Sequence, residues 1–351
     1  MHMADALISP VIGGVMWSAT AGTIAYCSSK LRKEIDDKKI PLMGVLGAFI
    51  FAAQMINFTI PATGSSGHLG GGMILAILLG PHAAFLTIAS VLTVQALFFA
   101  DGGLLALGCN IFNLGFFPAF IAYPLIYKKI VGDQASPVRI AVAAVVSAVI
   151  GLELGALGVV FETVFSGISS LPFSTFVVLM LPIHLAIGIV EGLVTAAVIS
   201  FVYKARPDIL AGALSTRPGG HFPVRNIALS FLLVALITGG IISWFASENP
   251  DGLEWTISKV TGKQEVEGQE SGLHETLASL QEKVAFLPEY GFAAPKIDTA
   301  HSPVAAPETT GEPAEEGGGK LGTSVAGLVG GLATLLVAGI IGFLLKKFSP
   351  V

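Results

Sequence analysis

Charged residues are scarce in this chain of 351 residues. They make up 12% of the sequence, against about 25% in soluble domains, whereas hydrophobic residues make up 53%. One aqueous core could not hide so much apolar surface, and several apolar runs approach the roughly 20 residues that cross a hydrocarbon core as a helix. The composition therefore excludes an ordinary soluble domain and predicts an all-α, polytopic membrane protein.

Cysteine and early positive charge are also scarce. Cys27 and Cys109 lie in or beside apolar segments, with no spacing for a disulfide framework or a cysteine metal site. Residues 1–29 contain no lysine or arginine, so the positively charged start of a signal peptide is missing. We therefore interpret the first apolar run as a retained span and expect the mature chain to begin with the free amine of Met1, followed by His2.

Nine membrane spans are predicted from the apolar runs. The third has only about a dozen residues, fewer than a crossing helix requires, and should lie partly buried in protein. Pro81 separates it from the fourth, because proline breaks or kinks a helix. The predicted spans cover residues 6–27, 41–57, 69–80, 82–99, 104–127, 138–165, 173–203, 227–246 and 325–345.

Positive charge orients these spans. Loop 28–40 carries five basic residues, which marks it as cytoplasmic under the positive-inside rule. Of the 19 lysines and arginines, five lie in segment 247–324, and alternation of the spans puts the other 14 on the cytoplasmic side. We therefore expect a multi-pass protein of the cytoplasmic (inner) membrane, with its N-terminus outside and its C-terminus in the cytoplasm.

Composition divides the chain into two modules. We expect a seven-span core at residues 1–205, a cytoplasmic linker at 206–225 and a two-span module at 226–351. The external loop of the second module, residues 247–324, carries 14 acidic and five basic residues. Loops of this length escape the orientation rule, so its lysines do not contradict the predicted topology.

This acidic loop has two parts of different composition. Residues 272–286 could form a short amphipathic helix. Residues 292–320 are rich in proline, alanine, glutamate and glycine, which is typical of a disordered tether. We therefore expect an external loop that is only partly ordered.

Two histidines share the predicted outer side of the membrane. His2 stands at the N-terminus, and His68 stands in the glycine-rich external loop 57–69. A metal could be held by the Met1 amine, the amide and imidazole nitrogens of His2, and the imidazole of His68. Four nitrogens in a square plane suit Cu²⁺ or Ni²⁺, and Co²⁺ less strictly. The alternative is a flexible external turn in which the histidines are incidental, and the sequence leaves it open.

Other polar residues have roles that the sequence leaves open. Three residues near the predicted external turns could surround the metal: Asn57, Ser66 and Asp101. Ionisable residues within a membrane are often functional, although a protonated glutamate bonded between helices is a structural alternative. The ionisable residues of this kind are Glu153, His184 and Glu191.

Several other functions lack their motifs. No glycine-rich loop ending in Gly-Lys-Ser/Thr is present, so the chain cannot bind and hydrolyse ATP in that way. HExxH and GxSxG are absent as well, so we expect a transport component rather than an enzyme, with no prosthetic group and no nucleic-acid partner. The alternative is a secondary transporter or channel for divalent transition metals, which should show a polar path and paired broken helices.

Several stretches resemble a known family of metal transporters. The start MHMADALISPVIG, the loop GSSGHLGGG and the run PHAAFLTIASVLTVQALFFADGGLLALGCNIFNLG are similar to CbiM and NikM. These proteins are the substrate-specific components of energy-coupling-factor (ECF) transporters for cobalt and nickel. The resemblance covers residues 1–205. The stretch PDGLEW at 250–255 resembles the PDGLE element of the N component, so the chain resembles a fusion of M and N components.

The resemblance implies ligands and partners. Met1 would supply its amine, His2 its amide and imidazole nitrogens, and His68 its imidazole, to a transported Ni²⁺ or Co²⁺ ion. The implied partners are a membrane-embedded coupling protein of the T or Q type and two cytoplasmic ATPase subunits of the O type. The N-like part would help metal to enter the capped site. The PDGLE-like element favours nickel, but cobalt stays open.

Overall fold

The chain is mostly helical in the computed structural model. The structure describes residues 2–34, 39–132, 135–169, 171–206, 210, 224–263, 266, 272–292 and 319–348. The helices, numbered in chain order, are α1 Pro10–Glu34, α2 Lys39–Gln54, α3 Gly72–Leu79, α4 Pro81–Phe99, α5 Leu107–Val131, α6 Pro137–Ser166, α7 Phe173–Ala205, α8 Val224–Gly240, α9 Gly252–Thr261, α10 Leu273–Val284 and α11 Gly319–Lys347.

Each predicted span overlaps one of these helices. Within the described ranges, five helices are long and apolar enough to cross a membrane, namely α4, α5, α6, α7 and α11. Helices α2 and α8 are apolar but shorter. The chain is therefore a multi-pass membrane protein, whereas the count of nine crossings and the orientation of the termini stay predictions.

The break between α3 and α4 falls at Gly80. This residue has φ 82° and ψ 164°, a conformation that is open mainly to glycine. Pro81 then starts α4, at a position where the missing backbone N–H costs no hydrogen bond. All eight residues of α3 are buried. The expectation of a short third segment that is buried in protein is therefore confirmed.

The loop between α2 and α3 contains a small hairpin that the all-α prediction missed. Strand β1, Phe58–Ile60, pairs antiparallel with strand β2, Ser65–Gly67, and Phe58 lies opposite Gly67. Strands of three residues are too short for an alternating pattern to mark them in the sequence. The hairpin matters for the site because His68 follows β2 directly.

The long helices of the second module, α8 and α11, pack by close backbone contact. A Cβ atom added to Gly327 of α11 would overlap the carbonyl group of Gly239 in α8. A Cβ atom on Gly44 of α2 would lie 2.9 Å from the carbonyl oxygen of Leu335 in α11. Small residues allow such contact between membrane helices, where van der Waals packing drives association. The second module is therefore fitted closely to the core.

The part of the second module between α8 and α11, as far as the structure describes it, lies across one end of the core. Helix α9 begins with a capping box, in which the Asp251 side chain accepts hydrogen bonds from the backbone of Leu253 and Glu254. Helix α10 confirms the helix expected at 272–286. The tether expected at 292–320 falls mostly outside the described residues, which resume at residue 319.

Candidate metal site

The imidazole rings of His2 and His68 meet at the end of the bundle. Their centroids are 5.0 Å apart and their planes differ by 24°, so the rings stack. The His2 side chain is only 8% exposed. The two predicted histidine ligands, far apart in the sequence, are thus brought together. The third predicted ligand, Met1, lies outside the described residues.

The segment after His2 is fixed by Asn110 in the first turn of α5 and by Gly103 in the loop before it. The backbone N–H of Met3 donates to Oδ1 of Asn110 at 2.8 Å, and the Asn110 amide donates back to the Met3 carbonyl at 3.2 Å. The backbone N–H of Gly103 donates to the same carbonyl at 2.9 Å. Met3 itself is fully buried. These contacts hold the backbone next to His2 in one conformation.

Asp101, in the turn after α4, contacts His2 directly. Nδ1 of His2 and Oδ1 of Asp101 are 2.7 Å apart. The second carboxylate oxygen of Asp101 accepts a hydrogen bond from the Tyr290 hydroxyl at 2.5 Å. Tyr290 belongs to the second module and was missed by the sequence analysis, because nothing in its surroundings marks it as a neighbour of His2.

The nitrogen of His2 that faces Asp101 is the one that a chelate would use. A metal bound to the His2 amide nitrogen closes a six-membered ring with Nδ1, whereas Nε2 lies on the far side of the imidazole. Nδ1 contacts Asp101 in the structure, and Nε2 is buried without a hydrogen-bond partner. The planar chelate predicted from the sequence therefore requires Nδ1 to exchange Asp101 for the metal.

The segment that carries His68 is pinned on its core side. The carboxylate of Glu191 in α7 accepts hydrogen bonds from the backbone of Gly70 at 2.9 Å and of Gly71 at 3.1 Å. The Gln54 amide donates to the Gly70 carbonyl at 2.9 Å. Gly71 has φ 76°, where a side chain would be strained. These contacts argue against a flexible turn and give Glu191 a structural role.

The protonation state of His68 suits a metal ligand. Nδ1 of His68 lies 3.1 Å from the carbonyl oxygen of Leu69. If Nδ1 carries the proton and donates it to this acceptor, the lone pair resides on Nε2. Burial, together with a smaller effect of the neighbouring His2, lowers the pKa of the His68 imidazole to about 3. The ring is therefore neutral at ordinary pH, as metal binding requires.

Asn57 and Ser66, also predicted to surround the metal, bond to the second module. The backbone N–H of Ser247 donates to the Asn57 carbonyl at 2.7 Å. The Ser66 hydroxyl donates to the Asn249 carbonyl at 2.7 Å, and the Ser66 N–H donates to the Pro250 carbonyl at 2.8 Å. These residues therefore join the hairpin to the PDGLE segment, and a place for them beside the metal stays a prediction.

A small cavity adjoins His68 on the side of the core. Its lining includes His68, His184 and Asp251. Nδ1 of His184 lies 2.8 Å from the Met180 carbonyl oxygen, and Nε2 is buried without a hydrogen-bond partner. His184 is thus close to the site, whereas Glu153, with one buried oxygen that lacks a partner, keeps an open role.

Side chains alone do not complete a metal site. Within the part of the chain that the structure describes, no group of three or more histidine, cysteine, aspartate or glutamate residues is arranged to hold a metal ion. A metal ion held by the histidine pair would need further ligands of another kind. Main-chain nitrogens at the N-terminus are the ligands that the sequence predicts for this purpose.

These features define a multi-pass membrane protein with a half-buried histidine pair at one end of its helical bundle. The chain belongs to the CbiM family, because the model described as "Cobalt uptake substrate-specific transmembrane region" matches residues 2–209. A second model, the PDGLE domain, matches residues 225–347. The predicted resemblance to CbiM or NikM fused to a PDGLE-like component is therefore confirmed.

Relatives with similar sequences are named as metal transport proteins. A putative metal transport protein of Haloquadratum walsbyi is 38% identical over 212 residues, which cover 60% of this chain and 93% of that protein. The fused nickel transport protein NikMN of Rhodobacter capsulatus is 30% identical over 252 residues, which cover 68% of this chain and 70% of that protein.

A cobalt-named relative and a solved structure match as well. The cobalt transport protein CbiM of Geobacter sulfurreducens is 27% identical over 270 residues, which cover 73% of this chain and 76% of that protein. A crystal structure of a transition metal transporter matches with a TM-score of 0.52 and 29% identity, over 58% of this chain and 93% of that chain. The relatives thus include proteins named for each metal.

Proposed function

We propose that this chain is the substrate-binding component of an ATP-driven ECF-type transporter that imports Ni²⁺ or Co²⁺. The stacking of the His2 and His68 rings at 5.0 Å carries the proposal. Two imidazoles held together at a bundle end offer nitrogen ligands of the kind that these ions prefer. Membership of the CbiM family agrees with this cargo.

The proposed ligand set consists of four nitrogens. The Met1 amine, the His2 amide and the His2 Nδ1 form a planar chelate, and His68 Nε2 completes the square. Nδ1 gives up its contact with Asp101 as the metal binds. The Asp101 carboxylate then stays beside the ion as a counter-charge, which a dication in a partly buried site needs.

Energy for uptake comes from other subunits in this proposal. The chain lacks the phosphate-binding loop that ATP hydrolysis of this kind requires. A T- or Q-type coupling protein in the membrane and two O-type ATPase subunits in the cytoplasm supply it. The site faces the outside of the cytoplasmic membrane, and the ATPases act on the opposite face.

Metal binding by the purified full chain with an intact Met1 tests the proposal. We expect the chain to bind a single Ni²⁺ or Co²⁺ ion. His68→Ala, or a residue added before Met1, should abolish tight binding, because each removes a nitrogen from the square. His82→Ala is the matched control, since His82 contacts Tyr26 and Phe120 instead of the site. Normal binding by the extended chain would exclude the amine as a ligand.

Uptake measurements separate this proposal from a secondary transporter or channel. The chain should copurify with the coupling protein and ATPases when they are produced together, and vesicles should accumulate metal only with ATP on the cytoplasmic side. Accumulation by vesicles that contain this chain alone, driven by an ion gradient, would contradict the ATP-driven mechanism while leaving metal binding intact.

A further inference from the structure

The second module reaches His2 through the Tyr290 hydroxyl group and the Asp101 carboxylate. We propose that Tyr290 is a positioning residue of the metal site and acts on His2 through Asp101. This inference rests on the proposed function. It is carried by two consecutive contacts, Tyr290 hydroxyl to Asp101 Oδ2 at 2.5 Å and Asp101 Oδ1 to His2 Nδ1 at 2.7 Å. The second module thereby takes part in building the site instead of only covering it.

The surroundings of Tyr290 fix its hydroxyl in place. Its ring stacks on that of Phe99 with centroids 5.0 Å apart and planes differing by 16°. The backbone N–H of Leu287 donates to the Phe98 carbonyl at 3.2 Å and ties this segment to the end of α4. The backbone of Tyr290 has φ 61°. Residues other than glycine adopt such a conformation at a cost, and it persists where the surroundings enforce it.

The two carboxylate oxygens of Asp101 have different partners, and this defines the role of Tyr290. One oxygen faces His2, and the other accepts the Tyr290 hydroxyl. When His2 Nδ1 turns to the metal, Asp101 loses a partner but keeps Tyr290. The carboxylate is therefore held close to the bound dication, where its negative charge is worth more than in water because the local dielectric constant is lower. Groups that orient a metal site in this way affect affinity without touching the metal.

Two substitutions in the full chain test this assignment. Tyr290→Phe removes the hydroxyl and keeps the ring that stacks on Phe99. Asp101→Asn removes the charge and keeps the shape, with Asp101→Ser as a substitute if the asparagine variant does not purify as a folded protein. Tyr203→Phe is the matched control, because it deletes a hydroxyl that donates to the Ala135 carbonyl at 3.2 Å, away from the site. The measurement is the dissociation constant for Ni²⁺ of each purified variant.

We expect the effects of Tyr290→Phe and Asp101→Asn on Ni²⁺ affinity not to be additive. Tyr290→Phe should weaken Ni²⁺ binding by roughly tenfold, as for other residues that orient metal ligands, and Tyr203→Phe should leave it unchanged. In the Asp101→Asn background, Tyr290→Phe should change the dissociation constant for Ni²⁺ by less than about twofold. The effects of two residues that act through the same contact are not additive. The same pattern should appear in the intensity of the Co²⁺ absorption bands at a fixed metal concentration.

Each other outcome overturns the inference. Unchanged binding by Tyr290→Phe would show that the hydroxyl does not support the site. Tighter binding would show that Asp101 only competes with the metal for His2. Additive effects of the two substitutions would show that Tyr290 acts by another route. Absence of Ni²⁺ and Co²⁺ binding by the unsubstituted chain would instead overturn the proposed function, and this inference with it.

Discussion

Asn110 fixes the N-terminal segment, and its effect can be measured. Asn110→Ala removes the acceptor of the buried Met3 amide, which costs about 1–3 kcal/mol when a buried group is left unpaired. Hydrogen exchange of the Met3 amide should therefore rise. Ni²⁺ affinity should fall by roughly tenfold or more, at 1.4 kcal/mol per factor of ten.

The control for this change is Asn226→Ala, whose side chain is exposed in α8. It should alter neither the exchange of the Met3 amide nor the affinity for metal. Normal affinity of Asn110→Ala together with fast exchange would mean that the fixed backbone is not needed for binding.

The depressed pKa of His68 gives a prediction on pH. Because burial lowers this pKa to about 3, the ring should stay neutral between pH 5 and 8, whereas a free histidine titrates near ~6.5. The unfolded chain binds the proton first as pH falls. His68 therefore contributes to the free energy of unfolding above pH ~6.5, and the contribution is lost as pH falls towards 3.

Nuclear magnetic resonance of histidine-labelled, metal-free protein checks this prediction. The His68 signal, assigned by its absence in His68→Ala, should not shift between pH 5 and 8. A midpoint near pH 6.5 would mean that the ring is open to water in solution. If the His68 signal does not shift, any release of metal by acid above pH 5 must come from protonation of the other nitrogen ligands.

Residues of the site differ in how far the sequence could identify them. The proximity of His2, His68 and Asp101 could be anticipated because the predicted topology puts their turns on one side of the membrane. Tyr290 could not be found, since 189 positions separate it from Asp101 and tertiary contact alone pairs them. Glu191 was noticed as an ionisable residue within a span, but its bonds to two backbone amides depend on the fold of the loop.

At the scale of elements, the contact between α7 and the segment that carries His68 is open to test. Glu191→Leu leaves the backbone amides of Gly70 and Gly71 without their acceptor, at about 1–3 kcal/mol for each buried group. Both the melting temperature and the Ni²⁺ affinity should fall. Glu191→Gln keeps one acceptor oxygen, so its melting temperature and its Ni²⁺ affinity should fall by less.

The comparison for Glu191→Leu is Glu275→Leu, at an exposed position of α10. This variant should melt and bind metal as the unsubstituted chain does. If Glu191→Leu and Glu191→Gln lower the melting temperature and the Ni²⁺ affinity equally, the negative charge of Glu191 is what supports the site. Its two hydrogen bonds to the backbone would then not be required.

Elements were predicted well where apolar length defines them. The runs at 138–165 and 173–203 were located nearly to the residue, because long apolar helices end where polar residues begin. The π-helical winding of Phe112–Tyr127 was missed, since an apolar run gives length and not winding. The hairpin of β1 and β2 was missed because its contacts with residues 247–250 hold it in place and lie far along the chain.

At the scale of the whole molecule, residues 247–250 of the second module lie on the hairpin, so we expect metal exchange to require them to separate. Thr59→Cys with Ser247→Cys tests this, because the two hydroxyl oxygens are 2.9 Å apart, close enough for a disulfide to form. The oxidised protein should exchange bound Ni²⁺ more slowly by about tenfold or more, if local opening limits exchange.

The reduced form of the same protein serves as the control, and the single cysteine variants show whether either substitution acts alone. Cys27 and Cys109 are buried and should not compete for the disulfide. Equal exchange rates before and after reduction would mean that metal reaches the histidines by a route that leaves the two modules in contact.

The covalent union of the two modules has a consequence for the cell. A cover made as a separate polypeptide would have to find its site by diffusion, and its occupancy would vary with the amounts of both proteins. Tethering replaces this encounter with an effective concentration that does not depend on how much of either protein is made. Every copy of the core is thus made with its own Tyr290, and dilution of the protein in the membrane leaves the ratio unchanged.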